Sequence, residues 1–328
     1  MASDSIGTIP VDGGRIAYHR LESGRPLLVL NGLAATSADW DPAFIDRLAA
    51  AHELILLDNR GIGASTDNGA PFDIDQLADD TARVIEALAF EHVRVLGWSM
   101  GGFIAQTLAL EHPVRVDKLI LLSTDPGGVD AELASPAVRS QLTDTSGTPR
   151  EQARRLLSLL FPDVLANSIY DQYGDIVAAA RAQVSPDLVQ RQAAAMDAWH
   201  RDGIGSRLRE LRNPTLVAAG SEGHCDSCFQ RAETGQRYSR RLARTIQGGR
   251  PRLYGAVSTP LGRSHQWVPR PLRERPSLLQ SQDDPGRLPR PRFPTLAHRL
   301  RITVHVDLFQ SVDAVLHCFG RAFIFFPG

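Results

Sequence analysis

The chain opens with a short alternation of apolar and polar positions. Thr8 to Val11 and Arg15 to His19 alternate around Asp12-Gly13-Gly14, the pattern of a β-hairpin closed by a glycine turn. Short, mainly apolar runs follow at Pro26 to Leu30, Glu53 to Leu57, Val93 to Leu96, Lys118 to Leu122 and Pro214 to Ala218. Each is too short for a helix and reads as a strand buried on both faces. Helical spacing lies between them, at Ala43 to Ala50, at Ile74 to Leu88 and at Gly102 to His112. In the second of these Leu77, Val84, Ile85 and Leu88 share one face. Strands alternating with helices predict an α/β fold, with a doubly wound, mostly parallel sheet.

The alternation breaks over residues 124–212. Helical patterns occur there at Arg150 to Leu160, Asp175 to Ala182 and Leu188 to Trp199, with no convincing strand. They predict a helical insertion that covers the sheet's carboxyl edge. Trp199, Phe161 and Leu160 either line a pocket there or pack within the insertion. The segments expected are a core at 1–123, a helical cap at 124–212, a last recognisable core strand at 213–222, and an atypical tail at 223–328.

The stretch with the clearest chemistry is Gly97-Trp98-Ser99-Met100-Gly101. It follows an apolar strand and precedes a helix. A G-x-S-x-G in that setting is a nucleophile elbow: a strained turn, flanked by small residues, that lifts a serine hydroxyl out of the sheet. The helix N-terminus beneath it favours developing negative charge. Asn31-Gly32-Leu33 and Asp58-Asn59-Arg60-Gly61-Ile62-Gly63 end two other strands. Loops at such ends build the site in open α/β sheets.

Composition and charge change this picture only towards the C-terminus. A length of 328 residues and an apolar fraction of 43% suit one large domain with an insertion. No apolar run approaches the roughly 20 residues of a membrane span, and Met1-Ala2-Ser3-Asp4 does not start a secretory signal. The expectation is a cytoplasmic protein without a membrane partner. Residues 1–222 hold 19 basic and 30 acidic side chains, net −11, whereas 223–328 hold 17 and 7, net +10. All three cysteines, Cys225, Cys228 and Cys318, lie in that second part. Cys225-x-x-Cys228 is half a metal or redox motif with no second half, so no metal is expected. Basic charge without aromatic spacing does not make a nucleic-acid module.

Taken together, these motifs resemble the α/β-hydrolase fold superfamily over residues 1–222. The similarity is to its cofactor-free serine esterase, enol-lactonase and haloperoxidase-like branch, with the cap between the sixth and seventh main strands. The resemblance implies Ser99 as nucleophile, the backbone N–H groups of Met100 and Leu33 as oxyanion hole, no cofactor, and a small ester or lactone as substrate. A non-catalytic hydrolase-fold binding protein with a basic tail is the alternative.

The resemblance stops at residue 222. The family places an Asp just after the seventh strand, where this chain has Gly223, and a His beside Gly further on. Of the ten histidines, His19, His52, His92, His112 and His200 precede that strand, and His224 is too close to it. His298, His305 and His317 lie too far on, which leaves His265 as substitute base. Asp125, after the sixth strand, is the substitute acid. Residues 259–300 are rich in Pro and Arg without periodicity, so an irregular tail that lacks the last part of the fold is expected. A one-nucleotide slip after Glu222 accounts for the break. The codons of Gly223 to Cys228, shifted by one base, permit Asp-Ile-Val-Thr-Pro, the family's acid loop. Those of Gly248 to Gly255, shifted alike, permit Gly-Gly-Gly-His-Gly-Tyr, its His loop. In that frame the chain beyond the His loop has missed its stop codon.

Overall fold

The computed structural model describes residues 5–21, 23–128, 131, 133–219, 242–247 and 250–255. The hairpin forms from β1 (Ser5–Val11) and β2 (Gly14–Leu21), paired antiparallel. The chain then lays down β3 (Arg25–Leu30), helix α1 (Pro42–Ala49), β4 (His52–Leu57), α2 (Ile74–Ala87), β5 (Val93–Trp98), α3 (Met100–Glu111) and β6 (Val116–Leu122). Four helices follow: α4 (Pro136–Leu142), α5 (Pro149–Leu160), α6 (Asp163–Ala182) and α7 (Pro186–Asp202). The chain returns to the sheet at β7 (Thr215–Ala219), and continues with β8 (Leu242–Gln247) and β9 (Arg250–Gly255).

One sheet holds all nine strands, in the order β1-β2-β4-β3-β5-β6-β7-β8-β9. Pairing is parallel from β4 through β8 and antiparallel at both edges. The chain runs outward from β3 to β4 and then returns to place β5 on the other side of β3. The loops after β3 and β5 therefore leave the sheet side by side, at the point where an open α/β sheet binds its ligand.

Beyond β7 two further short strands extend the sheet. Leu242–Gln247 pairs in parallel with β7, and Arg250–Gly255 pairs with it in turn. The reason is physical: β7 is a buried strand whose free edge presents a row of N–H and C=O groups to any extended segment. Thr245 and Ile246 are β-branched, a residue type that favours strands. Cys225, Cys228, His265 and the Pro/Arg-rich stretch 259–300 lie outside the described residues.

The sheet's core is aliphatic. Leu28, Leu30, Ile55, Leu57, Val95, Leu119, Leu121 and Val217 are buried, and pack with Ile85 of α2 and Ile104 and Leu108 of α3. Among the described residues no helix is long and apolar enough to cross a membrane. Helix α7 joins this core through Ala195, Met196 and Trp199. Trp199 stacks on Phe103 at 5.0 Å, so its partner is the sheet's own helix. Phe161 and Leu160, by contrast, pack with Leu157, Ala166 and Ile169 inside the helical insertion.

Some polar groups inside the core form closed sets. Arg60, 5% exposed, donates to both oxygens of Asp80 at 2.9 and 2.6 Å, and to the carbonyl of Asp12 at 2.7 Å. The pair ties the loop after β4 to the middle of α2 and to the first hairpin. Burial raises the Asp80 pKa, and the Arg60 guanidinium opposes that rise. Breaking such a pair on one side leaves a buried charge, which costs about 3–5 kcal/mol, whereas replacing both sides with apolar groups is often near neutral. Arg60→Met should therefore lower the urea unfolding free energy by about that amount, and Arg60→Met/Asp80→Leu should recover most of it. Equal losses in both variants would show that the pair has no such coupling.

Candidate active site

Ser99 sits between the end of β5 and the start of α3 with φ 52° and ψ −122°. Few non-glycine residues adopt such a backbone, and it persists only where the surroundings hold it. The holding contacts are visible. The Ser99 N–H donates to Leu122 O at 2.9 Å. Its carbonyl accepts from Gly102 N at 2.8 Å and from the Thr124 hydroxyl at 2.9 Å. Close backbone approach does the rest. A Cβ at Gly97 would collide with the Gly101 carbonyl, and one at Gly101 with the carbonyl of Leu30 on β3. The two glycines thus let α3 start against the sheet, with Ser99 thrown outward at the turn.

The loop after β3 lies alongside. A Cβ placed on Gly32 would be 3.3 Å from the Ser99 Cβ. Asn31 anchors this loop from below and is fully buried. Its amide donates to Leu57 O at 2.7 Å, its side-chain oxygen accepts from Trp40 Nε1 at 2.5 Å, and its carbonyl accepts from Asn59 Nδ2 at 3.2 Å. Asp58 extends the same interlock, accepting from Ser37 N at 2.7 Å and Ala64 N at 3.0 Å. Trp40 meets Trp98, the residue before the serine, edge-on at 5.8 Å. Leu33 follows Gly32 on this loop, and Met100 is the first residue of α3, directly after Ser99. Neither backbone N–H has an acceptor among the described residues.

The substitute acid, Asp125, is 2% exposed and follows β6. Its Oδ1 accepts from Gly127 N at 2.8 Å. Its Oδ2 lies 3.5 Å from Nε2 of His200 on α7, a histidine that chain order had set aside. The His200 ring packs edge-on against Phe103, one turn into α3 from Ser99. Sequence reasoning joined neither residue to the other, because 75 positions and three helices separate them. His265, the substitute base, is outside the described residues. Among the described histidines, His52 meets Leu48 O and Arg94, His92 meets Val114 O, and His112 faces Asp79. No described imidazole hydrogen-bonds to the Ser99 hydroxyl. No group of three or more potential metal ligands occurs among the described residues.

The elbow, its glycines and the adjoining loop belong to one pattern, and a family model described as the alpha/beta hydrolase fold matches residues 25–250. The chain belongs to the α/β-hydrolase fold family. It is an enzyme of the hydrolase class. RutD of Azorhizobium caulinodans, provisionally named a carbamate hydrolase, is 38% identical over 61% of this chain and 74% of its own length. The rhodomycin D methylesterase DauP of a Streptomyces species is 28% identical over 61% of this chain and 63% of its own. Among solved structures, the esterase RhEst1 of a Rhodococcus species superposes with a TM-score of 0.60 at 24% identity, over 74% of this chain and 90% of its own. That likeness concerns the fold.

The backbone at Ser99 makes a prediction that is independent of catalysis. Strain of this kind costs about 1–3 kcal/mol, less the roughly 0.5–1 kcal/mol of chain entropy that glycine loses on folding. Ser99→Gly should thus be more stable than Ser99→Ala by about 1 kcal/mol in urea unfolding. A Ser99→Gly variant equal to or weaker than Ser99→Ala would show that the turn stores no strain.

Proposed function

We propose that this chain is built as a serine hydrolase that cleaves small carboxylic esters or lactones through an acyl-enzyme on Ser99. The observation that carries this reading is the strained Ser99 at the head of α3, beside the Gly32 loop, with the Leu33 and Met100 N–H groups lacking acceptors among the described residues. The Ser99 oxygen attacks the acyl carbon while a base takes its proton. The carbonyl oxygen becomes an oxyanion, which the Leu33 and Met100 N–H groups hold. The alcohol leaves with a proton, and water repeats the attack to release the acid. The named relatives act on esters and carbamates, and both substrate types present an acyl carbon to the same machinery. Peracid formation and haloperoxidase side activity would use the same residues.

The base is where the chain departs from its family. No described histidine meets Ser99, and the family's acid and His loops both return in one shifted reading frame after Glu222. We hold that a one-base insertion near the codons of Ser221 to Ser227 separates this chain from an intact parent. Gene sequencing tests this directly. An open shifted frame encoding Asp-Ile-Val-Thr-Pro and then Gly-His-Gly supports it, and a stop codon before the Gly-His-Gly codons ends it. The same absence favours a second reading, a hydrolase-fold binding protein with a basic tail, whose binding would weaken steeply with salt.

A panel of short-chain aryl esters and lactones separates the readings. The frame-restored protein should turn over at least one of them, and Ser99→Ala should abolish this. The chain as it stands should be slower by on the order of a millionfold, about 8 kcal/mol of barrier, because a triad without its base retains only what the oxyanion hole and binding supply. Failure of the frame-restored protein on the whole panel would sink the hydrolase reading. Fast turnover by the present chain would show that it keeps a working base, with His265 the first residue to mutate.

A further inference from the structure

Helix α7 carries an apolar stripe of Leu188, Val189, Ala195, Met196 and Trp199, and one polar residue interrupts it. Gln192 lies on that stripe and is fully buried. Its side-chain oxygen accepts the backbone N–H of Ala34 at 2.8 Å, across 158 positions of sequence. Its amide nitrogen is buried without a partner among the described residues. A buried amide left half-satisfied costs about 1–3 kcal/mol, so stability alone would favour methionine or leucine at this position. The one bond that Gln192 makes is the reason to look for a role.

Ala34 is the residue after Leu33. Its φ is 53°, in the left-handed region that favours glycine. An alanine holds that conformation only if something fixes its peptide. Gln192 supplies the acceptor that does so. The helix carrying it is anchored on both sides of this contact. Arg191 pairs with Asp67 at 2.5 Å, and Trp199 stacks on Phe103 at 5.0 Å. Gly32, two residues before Ala34, lies against Ser99: a Cβ placed on it would be 3.3 Å from the Ser99 Cβ.

We propose that Gln192 is a positioning residue for the oxyanion hole: from the cap it fixes the strained Ala34 peptide and so keeps the Leu33 N–H set beside Ser99. This rests on the reading of Ser99 as nucleophile and Leu33 as oxyanion donor. The chain's insertion then does more than cover the sheet. It supplies the far end of a strut that holds the loop in its reactive form.

The test uses the full chain and an alkyl fluorophosphonate, with saturation kinetics of Ser99 phosphonylation to separate kinact from KI. Gln192→Met fills the same volume and lacks the acceptor. It should lower kinact by about ten- to a hundredfold, less than the loss of a whole oxyanion donor, with KI within about twofold and the thermal midpoint unchanged or raised. Adding Ala34→Gly relieves the left-handed strain, so the double variant should regain most of the rate. Hydrogen exchange at the Ala34 amide should accelerate in Gln192→Met, while the amides of β3 stay protected. An unchanged kinact, or a loss of KI and stability without rescue by Ala34→Gly, overturns the proposal. A wild-type chain that labels no faster than Ser99→Ala is what the missing base predicts, and the hydrolase reading is then decided by the ester panel on the frame-restored protein. Exchange at Ala34 then decides the tether alone, and unchanged exchange overturns it.

Discussion

The rest of this structure depends on how closely α3 can approach the sheet. That approach is set by two missing side chains. Without a Cβ at Gly97 or Gly101, the backbone of β5, the first turn of α3 and the end of β3 come into direct contact. Ser99 is forced between them at φ 52°. Helix α3 is then buried almost all round, against the sheet, α2 and the helical insertion. A larger residue at either glycine would push the helix away, and the serine would fall back into the turn. The strain at Ser99 and the burial of α3 have the same cause.

Around this contact the polar interior is arranged to leave few loose ends. Asn31, Asp58 and the Arg60–Asp80 pair each connect one strand-end loop to another. A buried polar group is stabilising only when satisfied, and each of these has its partners in place. Exceptions occur where α7 meets the core: among the described residues, Gln192, Trp199 and His200 of the helix, and Asp125 opposite, have buried polar atoms without hydrogen bonds, as do Arg94, Thr107, Arg139 and Asn213 elsewhere. Unsatisfied groups of this kind gather where function sets the geometry.

Much of this was legible in the sequence, for reasons that are local. Strand β3 ends in Asn31-Gly32, and Ser99 stands between Gly97 and Gly101. Each such signal lies within a few residues of the feature it makes. Asp12-Gly13-Gly14 likewise placed the first hairpin. What was not legible depends on distant segments meeting. Asp125 and His200 are paired only because α7 returns to α3. Strand β8 joins the sheet because β7 has a free edge, although its sequence carries little alternation. Gln192 did leave a trace, as a polar residue at a core position of an amphipathic helix. That trace identified an anomaly, and only the Ala34 contact gave it a meaning.

Chemistry and architecture converge on the claim that the Ser99 hydroxyl is the group that becomes acylated. An ester that leaves a small acyl group tests it with the least interpretation. The full chain is incubated at length with p-nitrophenyl acetate, quenched in acid, digested and mapped by mass spectrometry. The oxyanion hole alone leaves a residual rate, on the order of a thousandfold over water, so a slow reaction is sufficient. The account predicts an acetyl group on the peptide that contains Ser99, and its loss in Ser99→Ala. An acetyl group on another side chain, or an unmodified Ser99 peptide after prolonged incubation, would contradict it.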